Sequence, residues 1–302
     1  APVEVRAAAE IALCAGHGTT RIRSHVDVNP TVGLSHLEAL LKVREAHRHL
    51  VSIELVAFPQ DGILVAPGTA ALLDEAVAMG ADLVGGLDPA SLDRDVEAHL
   101  DVVFGIAERR GVGVDIHLHD PHMLGIFELE QIAARTKALG LGGKVAVSHA
   151  YALGEVPLDQ AKRTAETLAA AGVAIMTNAP GAHPFPPVKT LREAGVTVFA
   201  GNDNIRDSWW PYGDGDMLNR AMLIGYRSGF YTDEELAIAF DLVTEAGAKA
   251  LGLADYGLRE GAAANFVVMA VENVQSAVAA PPKLRAVYKS GRLVAKDGAV
   301  VR

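Results

Sequence analysis

The sequence predicts a parallel α/β barrel of eight strand–helix units, and three observations predict it. Apolar runs of strand length alternate with amphipathic stretches of helix length, the rhythm of successive βα units on a parallel sheet. The pattern returns roughly every 30 residues, the span of one strand, one helix and their loops. Side chains able to bind metal or move protons gather just after the strand-like runs, where barrels of this kind carry their sites.

Taken in order, the chain opens with a helix over 3–15. Strands are predicted near 21–28, 51–58, 82–86, 113–119, 144–149, 173–178 and 196–203, each an apolar run bounded by turn residues. Helices are predicted over 33–49, 69–79, 92–110, 125–139, 159–171 and 188–194, with 217–228 and 233–251 after the last strand. Gly80, Gly111, Gly172 and Gly195 stand where left-handed C-caps would end four of them. That makes seven strands, and a closed (β/α)8 barrel of the TIM type needs eight. The first is expected upstream of Ala1, in keeping with a first residue that is not Met. Beyond Leu253 the texture changes to short alternating runs, 264–270, 284–289 and 292–294, with Ser290-Gly291 at a hairpin turn. The expected division is 1–253 as the barrel, strands two to eight, and 254–302 as a small β appendage.

At 302 residues, core size is no constraint. Half the residues are apolar but only 5% aromatic, so the interior is built from small branched side chains and the chain is not disordered. A formal charge of −10 without a Lys/Arg cluster excludes a nucleic-acid surface. Cys14 is the sole cysteine, so no intrachain disulfide forms, and the cytoplasm is the expected location. No apolar run approaches the roughly 20 residues of a membrane span, and the first residues lack a signal-peptide pattern.

Strand by strand, the ends carry His25 and Asp27, Gln60, Asp88, His117 with His119 and Asp120, His149, Asn178, and Asp203 with Asn204. Any one alone reads as a helix cap or a satisfied loop polar group. Recurrence at nearly every strand end does not. His117, His149 and Asp203 offer imidazole and carboxylate donors suited to one Zn²⁺ or Fe²⁺ ion. Such an ion brings the pKa of its water towards roughly 7, so hydroxide can attack an electrophilic carbon. A neighbour must then carry a proton to the leaving amine. Asp120, His119, His149 and Asp203 are the candidates.

Several segments carry a resemblance: Arg23-Ser-His-Val-Asp-Val28, Ala57-Phe-Pro-Gln60, Leu83-Val-Gly-Gly-Leu-Asp-Pro-Ala90, Asp115-Ile-His-Leu-His-Asp120, Ser148-His149 and, most specific, Asn202-Asp-Asn-Ile-Arg-Asp-Ser-Trp-Trp-Pro-Tyr-Gly-Asp-Gly-Asp-Met217. Over essentially the whole chain they resemble the cytosine-deaminase-like branch of the amidohydrolase superfamily, and within it most resemble the N-isopropylammelide isopropylaminohydrolase type. The resemblance implies that His117 and Asp203 bind the metal and that His149 contacts the activated water. It implies that Gln60 and Asp88 are pocket polar groups and that Trp209 is an aromatic wall. The resemblance implies that 1–253 is a metal-dependent hydrolase barrel and 254–302 the C-terminal part of a small β-sandwich domain; the family's His-X-His pair and the N-terminal β segment of that sandwich have no counterpart here. His17 lies in the turn after the opening helix and is no substitute, so both are expected upstream.

Cytosine deaminases carry Glu where this chain has Asp120, and Asp where it has Asn204. Asp120 is one methylene shorter and Asn204 cannot act as a base, which turns the expectation away from cytosine. The His117-X-His119 spacing and the Asp203-Asn204 pair resemble the isopropylammelide type, in which the second His assists proton transfer. What is implied is hydrolysis of an exocyclic C–N bond, by deamination or dealkylamination, on a pyrimidine- or triazine-like ring, with Gln60 and Asn204 bonding ring edges and Trp209 stacking. One divalent metal per chain is implied, Zn²⁺ ahead of Fe²⁺, in a homo-oligomer. Two readings stay open beside it. A hydantoin- or lactam-opening enzyme usually needs a carboxylated Lys bridging two metals, and no Lys lies at a strand end. A non-catalytic barrel protein would lack the first-strand His pair altogether.

Overall fold

Every predicted strand and helix has a counterpart in the computed structural model, which describes residues 1–301. The chain runs α1 (Val3–Gly16), β1 (Arg21–Asp27), α2 (Ser35–Ala46), β2 (Ser52–Phe58), α3 (Thr69–Met79), β3 (Leu83–Leu87), α4 (Val96–Arg110), β4 (Gly113–Leu118), α5 (His122–Ala138) and β5 (Val145–His149). It continues through α6 (Ala152–Glu155), α7 (Leu158–Ala171), β6 (Val173–Thr177), α8 (Val188–Glu193), β7 (Val198–Ala200), α9 (Met217–Ser228), α10 (Asp233–Leu242) and α11 (Glu245–Ala250). The last elements are β8 (Phe266–Met269), α12 (Val274–Ala279), β9 (Arg285–Lys289), β10 (Arg292–Lys296) and β11 (Ala299–Val300).

Strands β1 to β7 form one sheet in chain order, with parallel ladders from β2 through β6. A helix between successive strands returns the chain to the same end of the sheet, which makes neighbours parallel. Strands β3, β5 and β6 are buried at every position, as expected where both faces are covered. Strands β8 to β11 make a separate antiparallel sheet in the order β11-β10-β9-β8. Ser290 and Gly291 turn its central hairpin with φ of 50° and 74°, the two left-handed residues of a two-residue hairpin loop.

The described chain divides into two compact units. One holds Arg23–Ala39 and Glu54–Val198, with Leu100, Phe104, Ile106, Ile116, Leu118 and Ile126 among its fully buried side chains. The other holds Ala1–Ile22, Leu40–Ile53 and the chain from Phe199 onward. In that second unit Ile11 and Ala15 of α1 pack with Val43, Leu50, Val287 and Val294. Lys289 is buried there, its ammonium donating to the Arg48 carbonyl at 2.8 Å and to Ser52 Oγ at 3.0 Å.

The strand expected over 196–203 is shorter, Val198–Ala200, and α6, α12 and β11 are additional; three other departures from the sequence reading have a local reason. Helix α4 starts at Val96, because Asp93 turns its carboxylate to the N–H groups of Ile63, Leu64 and Val65 and to His99 Nδ1 at 2.6 Å, leaving Asp95 as N-cap. Helix α5 begins at His122, three residues early, with Pro121 at its N-cap. The stretch 233–251 is two helices, broken where Thr244 adopts φ −130° and ψ −101° and its hydroxyl bonds the Phe240 carbonyl, a side-chain bond that competes with the helix. No helix among the described residues is long and apolar enough to cross a membrane.

Candidate active site

Alternation along β4 builds the centre. Asp115 and His117 share one face of the strand, while Val114, Ile116 and Leu118 on the other are wholly buried. Asp115 sits deepest. Its Oδ2 accepts from Arg23 Nη1 at 3.0 Å and its Oδ1 meets His25 Nε2 at 3.2 Å, with Ser148 Oγ at 3.4 Å. Arg23 also grips Glu54 Oε2 at 3.0 and 3.1 Å. Burial alone would raise the Asp115 acid; its electrostatic and hydrogen-bonding interactions with His25 and Arg23 overcome it and hold the carboxyl below the usual range.

Above this base four imidazoles converge from three strands. The His117 ring lies 4.4 Å from His25 and 4.8 Å from His149, centroid to centroid, and His119 stacks on His149 at 4.4 Å. Strand register pairs His149 with Leu118, which would send it to the opposite face from His117. A left-handed backbone at His149, φ 73°, brings its ring back beside His117. Burial, with the neighbouring rings, drives His117 well below the ordinary imidazole range. Burial, then His119 and His25, takes His149 to about 3. Both are neutral at pH 7, the state a metal ligand or a hydrogen-bond acceptor needs.

His119 is 38% exposed at its side chain. Asp88, at φ 39° just past β3, takes the His119 backbone N–H on Oδ1 at 2.6 Å and its Nδ1 on Oδ2 at 2.9 Å. This leaves Nε2 as the ring's other working atom. Asp120 points elsewhere: it is 2% exposed, accepts from Ser91 N–H at 3.2 Å and is joined by its side chain to Glu128 of α5. Asn178, buried after β6, bonds His149, as does the Tyr151 hydroxyl at 3.3 Å from Nδ1. Gln60 lies half-buried in the turn after β2.

The remaining predicted residues belong to the second unit. Asp203 stands three residues beyond β7 with φ 61° and acts electrostatically on Arg220. Asn204 donates to Asp207 Oδ2 at 2.6 Å, and Asp207 Oδ1 collects the N–H groups of Trp209 and Trp210. The loop thereby holds its own shape, with Trp209 68% exposed.

Donors for a divalent ion are present in the first unit: ligand atoms of His25, Asp115 and His117 lie within 4.8 Å of one another. Asp115 is already committed to Arg23 and His25, so the neutral His117 is the donor best suited to an ion. Sequence reasoning gave no role to Asp115, although it lies two residues before His117 on the same strand face. It also missed Glu128, which nothing in a helical pattern distinguishes from a solvated acid.

Known proteins resemble this chain over nearly its whole length. The amidohydrolase family pattern matches residues 3–295. The chain belongs to the amidohydrolase family. It is 34% identical over 286 residues to N-isopropylammelide isopropyl amidohydrolase of Pseudomonas sp. strain ADP, covering 94% of this chain and 71% of that one. Among solved structures, N-isopropylammelide isopropylaminohydrolase from Burkholderia multivorans superposes with a TM-score of 0.94 at 48% identity, over 98% of this chain and 75% of that one. A 5-methylcytosine deaminase from Klebsiella pneumoniae, liganded with 5-fluorocytosine, gives 0.87 at 29% identity, over 96% and 74%. This amidohydrolase is therefore an enzyme of the type that acts on C–N bonds, and its seven-stranded parallel sheet is of the TIM-barrel kind.

Proposed function

We propose that this amidohydrolase hydrolyses an exocyclic C–N bond on a pyrimidine- or triazine-like ring, releasing ammonia or an alkylamine. The observation that carries the reading is the His119–Asp88 pair set beside two neutral imidazoles, His117 and His149. It is a proton carrier oriented through Nδ1 with Nε2 as the nitrogen that would exchange the proton, the arrangement a departing amine requires.

His117 is the ligand the geometry favours for a divalent ion, Zn²⁺ ahead of Fe²⁺; Asp203 is assigned as its partner by the resemblance of the Asn202–Met217 run alone. The ion supplies the Lewis acidity that makes water nucleophilic near neutral pH. His149 is neutral and held by Asn178 and Tyr151, so it accepts a hydrogen bond from the attacking water and fixes the face of approach. His119 takes up the proton on Nε2, with Asp88 steadying the imidazolium, and delivers it to the leaving nitrogen. By the family resemblance alone, Gln60 and Asn204 are assigned to the amide edges of the ring and Trp209 to stacking on it. We take the enzyme to be a cytoplasmic homo-oligomer.

The test is amine release. Protein loaded with one Zn²⁺ per chain, offered a panel of amino- and alkylamino-triazines and aminopyrimidines, is expected to liberate ammonia or alkylamine from at least one. Ring opening of a hydantoin or lactam, with no amine released from any member of the panel, overturns the reading.

A further inference from the structure

We propose that Glu128 is a positioning residue for the His119–Asp88 pair, acting through a proton shared with Asp120; this rests on the reading of His119 as proton carrier.

The path is short. Asp120 and Glu128 are 2% and 0% exposed. Each gives one oxygen to the backbone of the turn that carries Asp88: Ser91 N–H donates to Asp120 Oδ2 at 3.2 Å and Ala90 N–H to Glu128 Oε1 at 2.9 Å. The two oxygens left over, Asp120 Oδ1 and Glu128 Oε2, are buried with no other hydrogen-bond partner among the described residues. Two carboxylates so placed would repel, and two acceptors cannot bond one another, so one proton lies between them. Glu128 carries it: burial first, then the charges of Asp120 and Asp88, push its acid up to about 9.

The consequence falls on the turn. Asp88 adopts a left-handed φ of 39° that an L residue does not hold unaided. Its own N–H is fixed to the His117 carbonyl at 3.1 Å and its carbonyl takes Leu92 N–H at 3.0 Å. The carboxyl pair secures the two intervening N–H groups of Ala90 and Ser91, completing the frame that aims Asp88 at His119. Helix α5 can deliver Glu128 because its first turn lies hard against Asp120, where a methyl group on Gly125 would stand 2.2 Å from the Asp120 carbonyl oxygen. On this proposal Asp120 is itself a holder of the turn, and proton delivery falls to His119.

The test compares E128Q, E128D and E128A. Gln reproduces a protonated Glu, accepting from Ala90 and donating to Asp120. Asp is a methylene too short to span both, and Ala does neither. The first readout is the proton resonance of His119 Nδ1–H in its bond to Asp88, which needs no substrate. It is expected to stay in E128Q and to move or broaden away in E128D and E128A. The second is the infrared C=O stretch of a protonated carboxyl at pH 7, present in the parent and lost in E128Q. The third is turnover, with kcat falling about 10²-fold in E128A, the scale of an ångström-sized misplacement, KM nearly unchanged, and most of the loss restored by Gln. If E128A does not fold, E128Q against E128D carries the same comparison. An unmoved His119 resonance in folded E128D or E128A, or an E128Q as damaged as E128D, overturns the proposal. If the proposed reaction itself is wrong, turnover is silent while the two spectroscopic readouts still decide the role of Glu128.

Discussion

At Asp88 both carboxylate oxygens are spent on a single residue, one on the backbone of His119 and one on its ring. That fixes the tautomer: Nδ1 carries the hydrogen and Nε2 is the acceptor nitrogen of the ring. Replacing Asp88 with Asn keeps the shape but can present an NH₂ to the ring and favour the opposite tautomer. We expect kcat in D88N to fall by about 10²-fold or more, the usual worth of an oriented acid–base group, with KM changed far less. Steady-state kinetics on the best panel substrate check this, and an unchanged kcat would remove His119 from the mechanism. The residues at this scale were partly legible. His117, His119 and His149 announced themselves by falling at strand ends, whereas the role of Asp115 depends on Arg23 and His25 arriving from another strand. A sequence shows which strand end a side chain occupies, but not that a left-handed φ at His149 swings its ring to the other face.

On the scale of elements, α5 is the piece whose placement matters most. Gly125 would ordinarily be improved by Ala, which favours a helix by roughly 1 kcal/mol. Here the added methyl would meet the Asp120 carbonyl oxygen at 2.2 Å and Ala152 Cβ at 2.7 Å, and overpacking of that kind costs about 1–3 kcal/mol. We expect G125A to be less stable than the parent in urea unfolding, and a stabilised variant would show that the helix is free to shift. The same contact explains why the start of α5 was misread: close packing holds the first turn in place over a Gly that, in sequence, looks like a boundary. The split of 233–251 had no warning either, because Thr244 breaks the helix through its hydroxyl and not through Gly or Pro. Strand cores, by contrast, were readable throughout, since β3, β5 and β6 are predominantly apolar runs, buried at every position, that need both faces covered.

For the molecule as a whole, the proton on Glu128 links folding to pH. The folded acid sits at about 9 against an ordinary value of 4.5. Across that window the native state therefore keeps a proton the unfolded chain releases, and stability declines as pH rises. The contribution is complete below pH 4.5 and gone once pH passes about 9. E128Q has no such proton to lose. Its melting temperature is expected to gain on the parent steadily from pH 5 to pH 9, and parallel pH profiles for the two proteins would show that Glu128 is ionised in the fold.

Lys289 turns the second unit into its own reporter. Burial, with Arg21 nearby, lowers its ammonium to about 8, so a substantial share of this amine is nucleophilic in mildly alkaline buffer. It nonetheless lies 8% exposed and tied to Arg48 and Ser52. An acylating reagent should thus modify Lys289 only when the β8–β11 sheet parts from the segment before β2, at a rate set by how often that opening occurs. Pulse labelling followed by peptide mass analysis would read the frequency of that opening directly, giving a clock for local unfolding without any introduced probe.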